Sequence, residues 1–214
     1  MRRPRICYNE GVTGNAAAGP DPSLTRERSF WSEMLERVER PVEVTVAADS
    51  AVSHRLERLA SLQPLIRVVR SAAPAAGATV AVAPAGEEPV LWHLGEPRAG
   101  EWVTLVACVI ECGRHAHPLA PELALALEEV VEPMAMDLVT SPASLRCHEA
   151  ALLLCRASLH RPQVSVRIVP LEQCRDLYGP DRATQVPHLI INGRLDWEGR
   201  LTASRLADLV RISR

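Results

Sequence analysis

Ser144-Leu145-Arg146-Cys147 and, further along, Gln185-Val186-Pro187-His188-Leu189-Ile190-Ile191-Asn192-Gly193 are the two stretches on which the fold turns. The first follows the apolar run Met136 to Val139, which reads as a strand, and opens a helix from about Ser144 to Leu159. The second predicts a β-hairpin. Val186 to Ile191 and Leu195 to Trp197 are the arms, and Asn192-Gly193 supplies the positive-φ residues that a tight turn between twisted strands requires.

The elements around these stretches alternate. Val164, Val166 and Ile168 form a strand by their period of two, and Leu171 to Tyr178 is a short helix. Leu201 to Ile212 closes the chain as a helix with Thr202 as N-cap. A helix over Leu119 to Val131 precedes the whole unit. The first half repeats the order. Phe30, Trp31, Met34, Leu35 and Val38 have helical spacing, and Val42, Val44 and Val46 alternate as a strand. Asp49 and Ser50 are positioned to cap a helix that carries Val52, Leu56, Leu59 and Leu62. Leu65 to Val69, Thr79 to Val82 and Val90 to Leu94 are strands, with a turn over Ala72 to Gly77. A helix from about Ala99 to Cys112 is stopped by Gly113. The division is a tail over 1–26 rich in Gly and Pro, a first fold over 27–117 and a second over 118–214. Each fold is a central mixed β-sheet flanked by helices, an α/β class.

Composition excludes several functions. The 214 residues carry a net charge of −2, 47% apolar and 23% charged residues, and no lysine. No basic block marks a nucleic-acid or anionic-membrane surface. No run of about 18 apolar residues predicts a transmembrane helix. Arg2, Arg3 and Arg5 are followed by no apolar stretch, so no signal peptide is expected and the compartment is expected to be a reducing cytoplasm. There, six cysteines do not imply a disulfide framework.

The order β-α-β, then β-hairpin and helix, is that of the thioredoxin fold, and the two quoted stretches resemble its redox site. In thioredoxin-like proteins a Cys-x-x-Cys pair opens the helix, and a Val-Pro that is cis at the proline faces it. On that resemblance Pro187 matches the cis-proline, Cys147 the second cysteine, and Ser144 stands in place of the first. Gly95-Glu96-Pro97 followed by Glu101-Trp102-Val103-Thr104-Leu105-Val106 is similar to the close of the first fold in the flavoprotein component of alkyl hydroperoxide reductase, and Pro41-Val42-Glu43 to its first strand. The resemblance covers about residues 28–212. The resemblance does not extend to the flavin and nicotinamide domains that follow in that family. Archaeal-type protein disulfide oxidoreductases share the double fold.

The resemblance implies a tandem thioredoxin architecture in which the first fold is vestigial and the second is redox-active, with Glu101 lying beside the cysteine position as an acid–base residue. It implies a thiol–disulfide redox protein, glutaredoxin-like, that needs no bound cofactor. Its partner would be a protein thiol or disulfide: a peroxiredoxin or a separate flavoprotein reductase. It also implies that Pro187 is cis and closes a groove with Val186 and His188 over Ser144 and Cys147, and that the two folds pack as one unit.

The residues themselves oppose full activity. A hydroxyl has almost no anion at neutral pH, and no neighbouring motif activates Ser144. Cys147 sits a turn inside the helix, where burial raises a thiol pKa. Cys155 is eight residues along the same helix, roughly 12 Å away by helical rise and beyond disulfide reach of Cys147. The alternative is therefore a non-catalytic module holding a polypeptide strand in the Pro187 groove. Cys108 and Cys112 are read as core packing. With His115 and His117 they have metal-ligand residue types, but not zinc-motif spacing, so no metal is expected. His148 reads as a surface helix residue, and Glu101 equally as an ordinary acid of a helix first turn. His188 either steers a partner or is simply exposed. Cys174 and Cys7 have no assigned partner.

Overall fold

A computed structural model describes residues 22–72 and 77–214. Cys7, most of the predicted tail and the centre of the turn before Gly77 lie outside the described residues. The first helix, α1 (Pro22–Leu35), begins inside the segment expected to be tail. The first fold then runs β1 (Val42–Ala47), α2 (Val52–Ala60), β2 (Ile66–Ser71), β3 (Val80–Pro84), β4 (Leu91–His93) and α3 (Ala99–Cys112). The second runs α4 (Pro121–Glu128), β5 (Met134–Thr140), α5 (Leu145–His160), β6 (Val164–Pro170), α6 (Leu171–Tyr178), β7 (His188–Ile191), β8 (Leu195–Glu198) and α7 (Ala203–Ile212). Helix α4 is shorter than the apolar pattern suggests. Its N1 is Pro121, and Val131 lies outside it and exposed.

The eight strands among the described residues form one sheet, ordered β2-β1-β3-β4-β6-β5-β7-β8. Each fold contributes four strands in the same relative arrangement: a parallel pair joined by a helix, then an antiparallel hairpin. The folds fuse where β4 pairs parallel with β6, in the register Leu91↔Val166, Trp92↔Arg167 and His93↔Ile168. The expected single unit is therefore a continuous sheet.

The repeat is imperfect. The second fold carries α6 between β6 and β7, whereas residues 72–79 link β2 to β3. One apolar cluster runs through both folds, from Val42, Val44, Val46 and Leu56 to Val109, Leu138, Leu154 and Val166. A second cluster lies beneath α6, with Val139, Val169, Cys174 and Ile190. Strand β5 is buried at six of its seven positions because both faces are covered.

The hairpin turn is as read. Asn192 and Gly193 have φ of 52° and 67°, and Arg194 N–H donates to the Ile191 carbonyl at 3.0 Å. Thr202 caps α7, its hydroxyl accepting from Arg205 N–H at 3.2 Å. The cap of α2 differs from expectation. Asp49 is exposed, and Ser50 Oγ shares the work with the Glu96 carboxylate, which accepts from Ala51 N–H at 3.1 Å and Val52 N–H at 3.2 Å.

Candidate functional site: a serine–cysteine helix start at the seam between folds

Strand β5 delivers the chain at Thr140, and four residues later Ser144 starts α5 as its N-cap, with extended φ and ψ of −101° and 109°. Ser144 Oγ accepts the Cys147 backbone N–H at 3.3 Å. It thus performs the ordinary N-cap role of satisfying an amide that the first helical turn leaves free. Cys147 is 4% exposed. Burial pushes its thiol pKa up and the Glu101 charge adds to this, against partial relief from Ser144 and Ser141. The sulfur is therefore held as a neutral thiol.

The first fold completes the site. Glu101, the N3 residue of α3, accepts from Arg98 N–H at 3.2 Å through one carboxylate oxygen and from Thr140 Oγ at 3.0 Å through the other. It is 5% exposed, so it is more than a solvated first-turn acid. The expected proximity of Glu101 to the cysteine position holds in the geometry. A small cleft is bounded by Glu101 and Thr104 on one fold and by Thr140, Ser144 and Cys147 on the other.

The close approach depends on Gly100. A Cβ there would stand 2.3 Å from the Pro142 carbonyl oxygen, which is backbone and cannot swing away. We expect Gly100→Ala to destabilise the chain by about 1–3 kcal/mol, as overpacking does. Chemical denaturation would check this, and a variant as stable as the parent would show that the seam has slack.

Other predicted residues fall differently. The Val186-Pro187 bond is cis, as expected. Pro187 is buried and its carbonyl accepts from Gly199 N–H at 3.0 Å. Neither Pro187, Val186 nor His188 lines the cleft beside Cys147. His188 is not offered to a partner: it is 2% exposed, with Nδ1 3.0 Å from Glu198 and Nε2 3.0 Å from Asp196. Those carboxylates are held in turn by Thr184 and by Arg182.

His148 is half-buried, contrary to the surface reading. Thr104 Oγ donates to the Gly100 carbonyl at 2.9 Å and lies 3.0 Å from His148 Nδ1, so this ring ties α5 to α3. Burial lowers the His148 pKa. His115 is exposed, and His117 Nε2 lies 3.4 Å from the Arg40 guanidinium. Among the described residues, no three His, Cys, Asp or Glu side chains are placed to hold a metal ion.

One residue of this region is missed by sequence reading. His93 ends β4 beside Ile168, which lines the cleft, and is 2% exposed. Its Nδ1 lies 3.2 Å from the Gly95 carbonyl, and its Nε2 has no hydrogen-bond partner among the described residues. Burial lowers its pKa, opposed by the charge of Glu101. The signal was the strand period: Leu91 and His93 fall on the same face, and Leu91 is core.

No protein-family model and no curated protein sequence matches the chain. Solved structures do. The N-terminal domain of the alkylhydroperoxide reductase AhpF from Enterococcus faecalis superposes with a TM-score of 0.73 at 17% identity, covering 87% of this chain and 98% of that one. A C503A mutant of the same reductase gives 0.72 at 18% identity, with the same two coverages. A protein disulfide oxidoreductase from Aeropyrum pernix gives 0.68 at 18% identity, covering 87% and 91%. No helix among the described residues is long and apolar enough to cross a membrane. The chain has the tandem thioredoxin-like fold shared by the N-terminal domain of the alkylhydroperoxide reductase AhpF and the protein disulfide oxidoreductases.

Proposed function

We propose that the chain is a double-thioredoxin protein of thiol–disulfide lineage that engages a polypeptide thiol or disulfide partner but does not itself carry out dithiol exchange. The observation that carries this is the Ser144 hydroxyl, set as helix N-cap at 3.3 Å from the Cys147 amide, where an attacking thiolate would have to be. A thiolate at a helix N-terminus is stabilised by free amides and the helix dipole; a serine hydroxyl there remains protonated. Cys147 is buried and neutral, suited to resolving a mixed disulfide and not to starting one.

The docking element on this reading is the start of α5, where Ser144 borders a cleft shared with Glu101 and Thr104 of the first fold. The similarity to the alkylhydroperoxide reductase AhpF supports a peroxide-reducing thiol protein, or its reductase, as the partner class. With dithiothreitol as electron source, the unmodified chain is expected to reduce insulin disulfides no faster than the reagent alone. Turnover clearly above that background would overturn this reading.

A further inference from the structure

Three thiols outside the cleft meet deeper in the same seam. Cys108 and Cys112 stand one turn apart on α3, Cys155 stands on α5, and all three are fully buried. Cys155 Sγ donates to the Cys108 carbonyl oxygen at 3.9 Å, which seats its thiol against the turn of α3 that carries Cys108 and Cys112. The arrangement is asymmetric. Interaction with the two α3 thiols lowers the Cys155 pKa, while that interaction and burial push those of Cys108 and Cys112 well up. Alongside, Arg156 holds Glu111 at 2.9 Å through two hydrogen bonds and pins the helices together at this level.

We propose that this cluster is a redox-modification site, at which hydrogen peroxide joins Cys155 to Cys108 or Cys112 in a disulfide that ties the first fold to the second. In the first step the Cys155 sulfur attacks one peroxide oxygen. The O–O bond breaks, one water leaves, and Cys155 becomes a sulfenic acid. In the second, the sulfur of Cys108 or Cys112 attacks the Cys155 sulfur. The S–O bond breaks, the S–S bond forms, and the oxygen leaves with the attacking thiol's proton as a second water. Two thiols are oxidised by two electrons and one peroxide is reduced to two waters. The oxidant has to be small and uncharged, because it reaches a fully buried seam through local opening. The proposal is independent of what happens at Ser144.

The full chain contains no lysine, so trypsin cleaves after arginine. Cys108 and Cys112 fall in fragment 99–114, and Cys155 falls in 147–156 together with Cys147. In a Cys147→Ala background, peroxide treatment of the folded chain followed by alkylation under denaturing conditions should yield 99–114 linked to 147–156. Replacing Cys108 or Cys112 singly by Ser should leave a link, and Cys155→Ser should abolish it. Tandem fragmentation of the same linked pair from the unmodified chain covers the case in which a variant folds poorly. The oxidised chain should melt at a higher temperature than the reduced one. A folded, peroxide-treated chain with no such link, or with Cys155 linked elsewhere, overturns the proposal.

Discussion

Ser144→Cys is expected to convert a chain with no dithiol exchange into one that turns over disulfides. The introduced sulfur would occupy the N-cap of α5, where the Cys147 amide already donates to the side chain at 3.3 Å. That amide and the helix dipole should lower the new thiol from its free value of about 8.5 into the range of about 3.5–7.5 seen at helix N-termini. The i, i+3 spacing at a helix start places it within disulfide reach of Cys147. Attack on a partner disulfide would form the mixed disulfide; Cys147 would then displace the partner's sulfur and close the intramolecular bond. Cys147 must lose its proton for that step, and burial and the Glu101 charge both oppose this, so an acceptor is needed. Glu101 borders the same cleft. Adding Glu101→Gln to Ser144→Cys should therefore slow turnover by about 100-fold or more, the usual worth of a positioned base. Insulin-disulfide reduction on the three chains reads both effects. A folded Ser144→Cys chain without activity would show that docking, and not the nucleophile, is what this site has lost.

How much of this was legible depended on whether the information was local. Helix α3 has its read boundaries, Ala99 and Cys112, because Gly113 stops it, and α6 spans Leu171 to Tyr178 between Pro170 and Gly179. The Asn192-Gly193 turn fixed the hairpin, and with it a register that places His188 opposite Glu198. That register, followed along β8, brings the two carboxylates to the imidazole, so the burial of His188 was implicit in the turn. The seam was not legible. Cys108 and Cys112 share a helix face by spacing, but nothing in the spacing says that α5 presents Cys155 to them. Likewise the Thr104–His148 contact requires knowing that Gly100 lets α3 approach the Pro142 carbonyl. These contacts depend on how two folds dock, which periodicity within each fold does not encode.

The same seam supplies the largest expected loss of stability. Arg156→Ala should destabilise the chain by about 2–3 kcal/mol. This lies between an exposed ion pair, at about 1 kcal/mol or less, and a buried pair broken on one side, at about 3–5. The intermediate figure follows from exposure: the Glu111 side chain is 7% exposed and that of Arg156 29%. Removing the guanidinium leaves Glu111 buried on α3, with Arg114 at 3.4 Å as its remaining ion-pair partner. The pH dependence separates this from mere loss of packing. Burial alone would raise the Glu111 pKa, but the hydrogen bonds and charge of Arg156 outweigh it and the net shift is downward. A depressed folded-state pKa contributes stability above the unfolded carboxylate value of about 4.3, and that contribution is lost as pH falls through the folded value. In Arg156→Ala the burial effect is no longer outweighed, so protonation of Glu111 relieves the variant as pH falls. The gap between parent and variant should be full near neutrality and narrow as the solution is taken below about pH 4, measured by urea denaturation across that range. A gap that stayed constant through the acid limb would assign the loss to the alkyl stem of Arg156 and not to its charge on Glu111.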